Sequence, residues 1–156
     1  MNELSGYAFS PLREGEIALY RGSGNGLPPI LLVAAEETSL DCVERLQHEY
    51  APKAELDADW AARPVALTHY NDRMTLVLED PGGTPVDQLL GQPLDVSQFL
   101  RIAIPLAGAL RRVHERGLIH KDIKPANILA DASSGLNTNM RSSANLTLIG
   151  PRNRSR

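Results

Sequence analysis

His120-Lys121-Asp122-Ile123-Lys124-Pro125-Ala126-Asn127, followed by the apolar Ile128-Leu129-Ala130, is the stretch on which the reading of this chain turns. It reads as a short loop that sets a carboxylate, a cation and an amide within a few residues of one another. A phosphoryl-transfer site needs those three groups. The carboxylate accepts or orients an attacking hydroxyl, the cation meets charge on the transferring phosphate, and the amide oxygen holds a metal ion. Asp122, Lys124 and Asn127 are therefore the side chains around which the other segments are read.

Working outward, the 156 residues give the length of one ordinary domain with its own core. The formal charge of −3 hides an asymmetry. After Asp131 the only charged residues are Arg141, Arg152, Arg154 and Arg156, whose +4 leaves −7 on the rest. An acidic body argues against nucleic acid as the main partner. Residues 132–156 are rich in Ser, Asn and Arg and are expected to be a divergent, disordered tail. A truncated or frameshifted reading of a longer gene explains them better than a nucleic-acid-binding tail. The lone Cys42 cannot form an internal disulfide, nothing resembles a secretory signal, and Cys42 and His48 lack metal-like companions. The longest apolar run, Ile30 to Ala35, is far too short to span a bilayer. The expectation is a soluble, cytoplasmic protein with no membrane partner.

The N-terminal part reads as short strands broken by turns. Glu16–Arg21 is a strand, and Gly22-Ser23-Gly24-Asn25-Gly26 after it reads as a hairpin connection. A phosphate-binding P-loop would continue into Gly-Lys-Ser/Thr, whereas this chain continues Leu27-Pro28-Pro29. Ile30–Val33 is a buried strand. Helical spacing begins at Thr38-Ser39, with Thr38 and Asp41 fitting a capping box. Leu40, Val43, Leu46 and Tyr50 form one face, and Pro52 stops the helix by pushing Ala51 out of the helical region. Val65–Tyr70 and Met74–Leu78 form an antiparallel hairpin around Asn71-Asp72-Arg73. Val86–Leu90 is a short helix candidate. The strongest helix is Val96–Arg116, with Phe99, Ile102, Leu106, Leu110 and Val113 on one face, a kink expected at Pro105, and Gly117 closing it.

The loop at His120–Asn127 resembles the catalytic loop of protein kinases, whose pattern is H-R-D-L-x-x-x-N. His120, Asp122 and Asn127 match at the required spacing, and Lys124-Pro125 match the serine/threonine form. The likeness covers about Leu4 to Asp131. Together with Leu78-Glu79-Asp80-Pro81-Gly82-Gly83 and Arg45-Leu46-Gln47-His48-Glu49-Tyr50, it is similar to the N-terminal kinase-like domain of bacterial proteins that continue into an ATPase module and a sensor histidine kinase.

What the resemblance implies is specific. The fold is α+β and kinase-like: a small antiparallel N-lobe sheet with one helix over 1–80, then a hinge and the start of a truncated C-lobe with the catalytic loop over 81–131. Asp122 is the base or hydroxyl-orienting residue, Lys124 the γ-phosphate contact and Asn127 a magnesium ligand. His120 is a packed, structural histidine. Glu79 offers its carbonyl to adenine, and the next donor position falls on Pro81, which has no N–H. Glu49 is the candidate helix glutamate, with a surface role as the alternative.

The departures are as informative as the matches. The family's strand lysine is missing, since Val33 or a neighbour stands there. A hydrogen bond to a charged partner contributes about 1.5–3 kcal/mol, so nucleotide binding weakens by roughly one to two orders of magnitude. Arg21 is a substitute candidate, against a solvated arginine. The family's glycine loop corresponds to the Leu12–Glu16 turn, which has one glycine. Lys121 replaces an arginine and lacks its bidentate fork, so phosphorylation-gated activation does not carry over. No Asp-Phe-Gly follows, and Leu146–Gly150 is a faint echo of it.

Three readings stay open. One is a serine/threonine protein kinase domain that uses ATP and Mg2+ on a protein substrate. Another is a pseudokinase module with a regulatory partner domain. The third is a small-molecule kinase of the aminoglycoside or choline type, against which Lys124-Pro125 count. The central helix is expected to leave an apolar patch exposed.

Overall fold

Three strands joined by tight turns open the chain: β1 (Ala8–Arg13), β2 (Ile17–Gly24) and β3 (Leu27–Ala35). The computed structural model describes residues 4–35, 39–120, 122–131, 138–141 and 146–148. The glycine cluster is a hairpin connection, as read: β2 and β3 pair antiparallel up to Gly24 and Leu27, and Gly26 turns the chain at φ 73°.

Helix α1 (Leu40–Tyr50) is capped by Ser39, whose side chain accepts from the Cys42 N–H at 3.3 Å. The expected cap, Thr38, lies outside the described residues. Its inward face also differs from the one read in the sequence. Cys42, Leu46 and Glu49 are buried, at the i, i+4, i+7 spacing of a helical face, while Leu40 is 82% exposed. Ala51 keeps helical angles (φ −54°, ψ −45°), and the chain runs on into a 3-10 turn over Ala51–Ala54. Pro52 ends the α-helix without reversing the chain, because a proline at the start of a turn needs no N–H.

After β4 (Ala61–Ala62) come β5 (Pro64–Tyr70) and β6 (Arg73–Glu79), an antiparallel hairpin with Asn71 and Asp72 at φ 50° and 61°. Positive φ at both central residues matches the twist of the flanking strands. The five-stranded sheet has the order β1-β2-β3-β6-β5, antiparallel throughout. Strand alternation sends Leu31, Val33 and Ala35 to one face, where they form a core with Leu19, Leu76, Leu78 and the α1 residues Cys42 and Leu46. Ile30, Leu32 and Val77 go to the other face and are covered by Leu4, Tyr7 and Phe9.

The chain then crosses to a second layer. β7 (Thr84–Pro85) leads into a single 3-10 turn, Val86–Leu89, in place of the expected short helix, and α2 (Val96–Glu115) follows. Asp95 and Gln98 form a reciprocal capping box at its start. The helix runs without interruption through Pro105, so the expected kink does not open it. The carbonyl four residues earlier, on exposed Arg101, can turn to solvent. Val113 and Ala109 pack against Leu56, Trp60 and Leu118. An apolar surface is exposed on α2 as anticipated, but on a different stripe. Val96, Phe99, Leu100 and Ile104 face outward, while Ile102, Leu106 and Leu110 pack inward.

β8 (Leu118–His120), a 3-10 turn at Pro125–Asn127 and β9 (Ile128–Ala130) complete the loop region. Two stretches of the segment expected to be disordered pair as strands. β10 (Thr138–Arg141) lies between β9 and β4, and β11 (Leu146–Leu148) pairs antiparallel with β8. The short Leu-Thr-Leu alternation suits a strand edge better than composition suggested. The architecture is α+β, with the sheet and α1 arranged like the N-lobe of a kinase. Among the described residues no helix is long and apolar enough to cross a membrane.

The two layers meet where β7 pairs with β9, Thr84 opposite Ala130. Gly83, at φ 79°, passes so close that a Cβ there would stand 2.9 Å from the carbonyl carbon and oxygen of Ala130. Gly83→Ala is therefore expected to cost about 1–3 kcal/mol in urea denaturation. Gly91→Ala, with open space around it, should stay within about 0.5 kcal/mol. Equal midpoints for the two variants would contradict the close approach.

Candidate functional site

Asp122, Lys124 and Asn127 come together. Lys124 Nζ stands 2.8 Å from Asp122 Oδ2, and Asn127 Nδ2 donates to Asp122 Oδ2 at 3.0 Å and to the Asp122 carbonyl at 2.9 Å. The fold produces this by local means. Lys124 is extended, Pro125 starts a 3-10 turn, and the Asn127 N–H closes that turn on the Lys124 carbonyl at 2.9 Å. That turn delivers Asn127, only 3% exposed, back under Asp122. His120 is buried, and its Nδ1 accepts from the Asp122 N–H at 3.2 Å. This fits the packed role expected of it. Lys121 lies outside the described residues.

The Asp122 carboxyl is held below the usual carboxylate range. The hydrogen bond from Lys124 is the largest cause, partial burial opposes it, and the Lys124 charge, the Asn127 amide and His120 add to it. A depressed carboxyl contributes stability above its unfolded value of about 3.9, and that contribution is lost as pH falls through the folded value.

Asn127 spends its Nδ2 on Asp122, which leaves its carbonyl oxygen as the ligand atom. Among the described residues no cluster of three His, Cys, Asp or Glu could hold a metal ion. One amide oxygen fits magnesium only in the limited sense of an ion carried in on nucleotide phosphates.

The expected hinge is more tightly engaged than the sequence suggested. The Glu79 N–H goes to the Arg63 carbonyl at 2.9 Å, the Asp80 N–H to the Pro29 carbonyl at 3.2 Å, and the Gly82 N–H to Asp80 Oδ1 at 2.8 Å. Pro81 has no N–H to give. From Glu79 to Gly82, every backbone donor is spent or missing. The Glu79 side chain forms a two-pronged, exposed pair with Arg63 (2.9 and 2.6 Å).

Arg21 is not a solvated arginine, and it does not reach Asp122. It grips the segment after β6: Nε and Nη2 bind the two oxygens of Asp80, the latter at 3.1 Å, and Nη2 also donates to the Gly83 carbonyl at 2.7 Å. The Asp80 side chain is 3% exposed. Sequence reading missed this pair because partners 59 residues apart leave no local signal. Glu49 is corrected from the surface alternative to a buried position, 3% exposed, on the inner face of α1. Val33 is fully buried in the apolar cluster beside that helix, so no cation stands at that strand position.

No protein-family model matches the chain. Among curated proteins, it is 34% identical over 85 residues to a probable serine/threonine-protein kinase of Corynebacterium efficiens, covering 53% of this chain and 11% of that protein. It is 51% identical over 37 residues to the serine/threonine-protein kinase PknK of Mycobacterium tuberculosis, covering 24% of this chain and 3% of the relative. Mouse Aurora kinase C is 36% identical over 92 residues, 55% of this chain and a third (33%) of its own length. The chain thus spans a minor part of each relative.

Two measurements check this geometry. In a double-mutant cycle, Arg21→Met and Asp80→Asn should couple by about 1–3 kcal/mol of stability, and additive effects would dissolve the pair. Asp122→Asn should lower stability at pH 7 by less than about 1 kcal/mol, because the Asp122–Lys124 pair is part-exposed and screened by solvent. That difference should vanish in acid below the folded carboxyl's range. An undiminished difference there would contradict the depressed Asp122. Fold and matched segments together make this chain one that resembles the protein kinase superfamily, on the serine/threonine side.

Proposed function

We propose that the chain is a serine/threonine protein kinase-like domain of the class that transfers the γ-phosphate of ATP to a protein hydroxyl, and that this polypeptide by itself does not turn over. The observation that carries the reading is the convergence of Asp122, Lys124 and Asn127 within about 3 Å hydrogen-bonding contacts. Residues 1–80 are the N-lobe, 81–131 the hinge and the start of the C-lobe, and the cleft lies between them.

In this reading Asp122, ionised at neutral pH, orients the acceptor hydroxyl and takes its proton. Lys124 leaves its pair with Asp122 to meet the γ-phosphate. Asn127 offers its amide oxygen to magnesium, which supplies charge neutralisation on the phosphates when bound. Glu79 offers adenine a backbone carbonyl, and Pro81 withholds the second hydrogen bond. Glu49 is the helix glutamate, buried on the inner face of α1.

A second reading is favoured by one observation. Val33 is sealed in the core where a phosphate-binding cation would stand. That supports a pseudokinase, a fold kept to bind or regulate an attached domain or protein partner within a cytoplasmic signalling protein.

The polypeptide is expected to show no protein phosphorylation above background with magnesium-ATP and a generic protein acceptor. It should bind ATP more weakly than micromolar by calorimetry. Turnover that disappears in Asp122→Asn would overturn the inactive assignment, and micromolar affinity would overturn the account of the hinge.

A further inference from the structure

The β1 strand carries a bulge whose consequence is chemical. Its pairing with β2 runs Pro11 to Tyr20 and then Arg13 to Leu19, so the register slips at Leu12. A bulge breaks the alternation of faces and re-aims a side chain. Here two successive residues turn toward the second layer. Leu12 packs against the cluster that contains Leu129, and Arg13 reaches the catalytic loop, its Nη1 donating to the Ala126 carbonyl at 3.5 Å. Gln88, from the turn after β7, holds the Leu12 carbonyl and so ties the bulge to the lower layer.

Of the other described cations around the loop and the segment after β6, Arg21 is paired with Asp80 and Arg63 with Glu79, and Lys124, held by Asp122, is the one the reading above already gives to the γ-phosphate; Lys121 lies outside the described residues. Among the described residues Arg13 meets only carbonyl oxygens, those of Ala126 and Ile17, at 3.5 and 3.4 Å. Hydrogen bonds that long are weak. A half-buried guanidinium held by two such bonds, one residue from Asn127, is ready to exchange them for an anion, and its planar fork suits phosphate oxygens.

We infer that Arg13 is a phosphate-binding residue of this chain, supplying from the β1 bulge the cation that Val33 does not supply from β3. The ligand class is a nucleoside di- or triphosphate. The inference rests on the nucleotide-binding reading given above. It goes beyond that reading in naming the group that discriminates phosphorylated from bare nucleoside.

The test is calorimetric titration of the unaltered chain, Arg13→Gln, Arg13→Lys and the exposed-surface control Arg45→Gln with ATP, ADP and adenosine at fixed ionic strength. Circular dichroism checks each fold. The unaltered chain should prefer ATP over adenosine. Arg13→Gln should lose about tenfold or more of ATP and ADP affinity with adenosine unchanged. Arg13→Lys should recover part of the loss, and Arg45→Gln should change nothing. Equal weakening of ATP and adenosine in Arg13→Gln would mark Arg13 as merely structural and overturn the inference, as would no change. An unaltered chain that binds adenosine and ATP alike overturns the inference and leaves the hinge reading standing. A chain that binds neither ends the nucleotide reading and this inference with it.

Discussion

Two backbones press against each other at Gly83 and Ala130, and most of what is distinctive about this molecule depends on that approach. A side chain at Gly83 would collide with the Ala130 carbonyl, and any L-residue there would also be strained at φ 79°. With glycine in place, β7 pairs with β9, and β9 is the strand that leaves Asn127. The segment after the sheet is thereby tied to the strand after the loop. From that tie follows the proximity of the β1 bulge to Ala126 and of Gln88 to Leu12.

The distribution of charge around this junction is orderly. Among the described residues Glu79, Asp80 and Asp122 each have a cation, and the most buried of the three, Asp80, has the most geometrically specific one. Arg21 meets both Asp80 oxygens and the Gly83 carbonyl, so the same guanidinium fixes the turn after β6 and the residue that makes the close approach. A buried carboxylate left without such a partner is costly, several kcal/mol in a well-packed site. A lysine in place of Arg21 would lack the planar fork that spans both oxygens. Arg21 thus works on the conformation of the turn after β6, while Asp122 and Lys124 form a pair that is only partly buried.

How much of this was legible beforehand depends on the range of the interaction. Local chemistry was: the Asn25-Gly26 and Asn71-Asp72 turns, the β5–β6 hairpin, the ends of α2 and the sequence spacing that brings Asp122 and Asn127 together all rest on neighbours in the chain. The inward face of α1 was misread because periodicity ranked Leu40 above Cys42 and Glu49, and a polar residue on a buried face carries no apolar signal. The Arg21–Asp80 grip and the Arg13–Ala126 contact join residues 59 and 113 positions apart, and only the topology reveals them. The β1 bulge was invisible for a related reason, since register is a property of a pair of strands and not of either one. The strands at Thr138–Arg141 and Leu146–Leu148 were hidden by a polar composition that reads as disorder.

Val33 allows the binding and folding roles of one position to be compared. Burying a valine side chain is worth about 1.5–3 kcal/mol, and a charged hydrogen bond to a ligand contributes about the same. Where a strand lysine would hold a nucleotide, this sequence puts that free energy into the cluster that joins β3 to Cys42 and Leu46 of α1. The sheet and helix are then held together whether or not a nucleotide is present. A catalytic domain gains from making that junction responsive to its ligand; a domain kept for its shape gains from making it permanent. Glu49 stays buried on the same inner face of α1, beside Cys42 and Leu46. On that balance the fold is specified more firmly than the chemistry, and any remaining affinity for phosphate must come from outside β3.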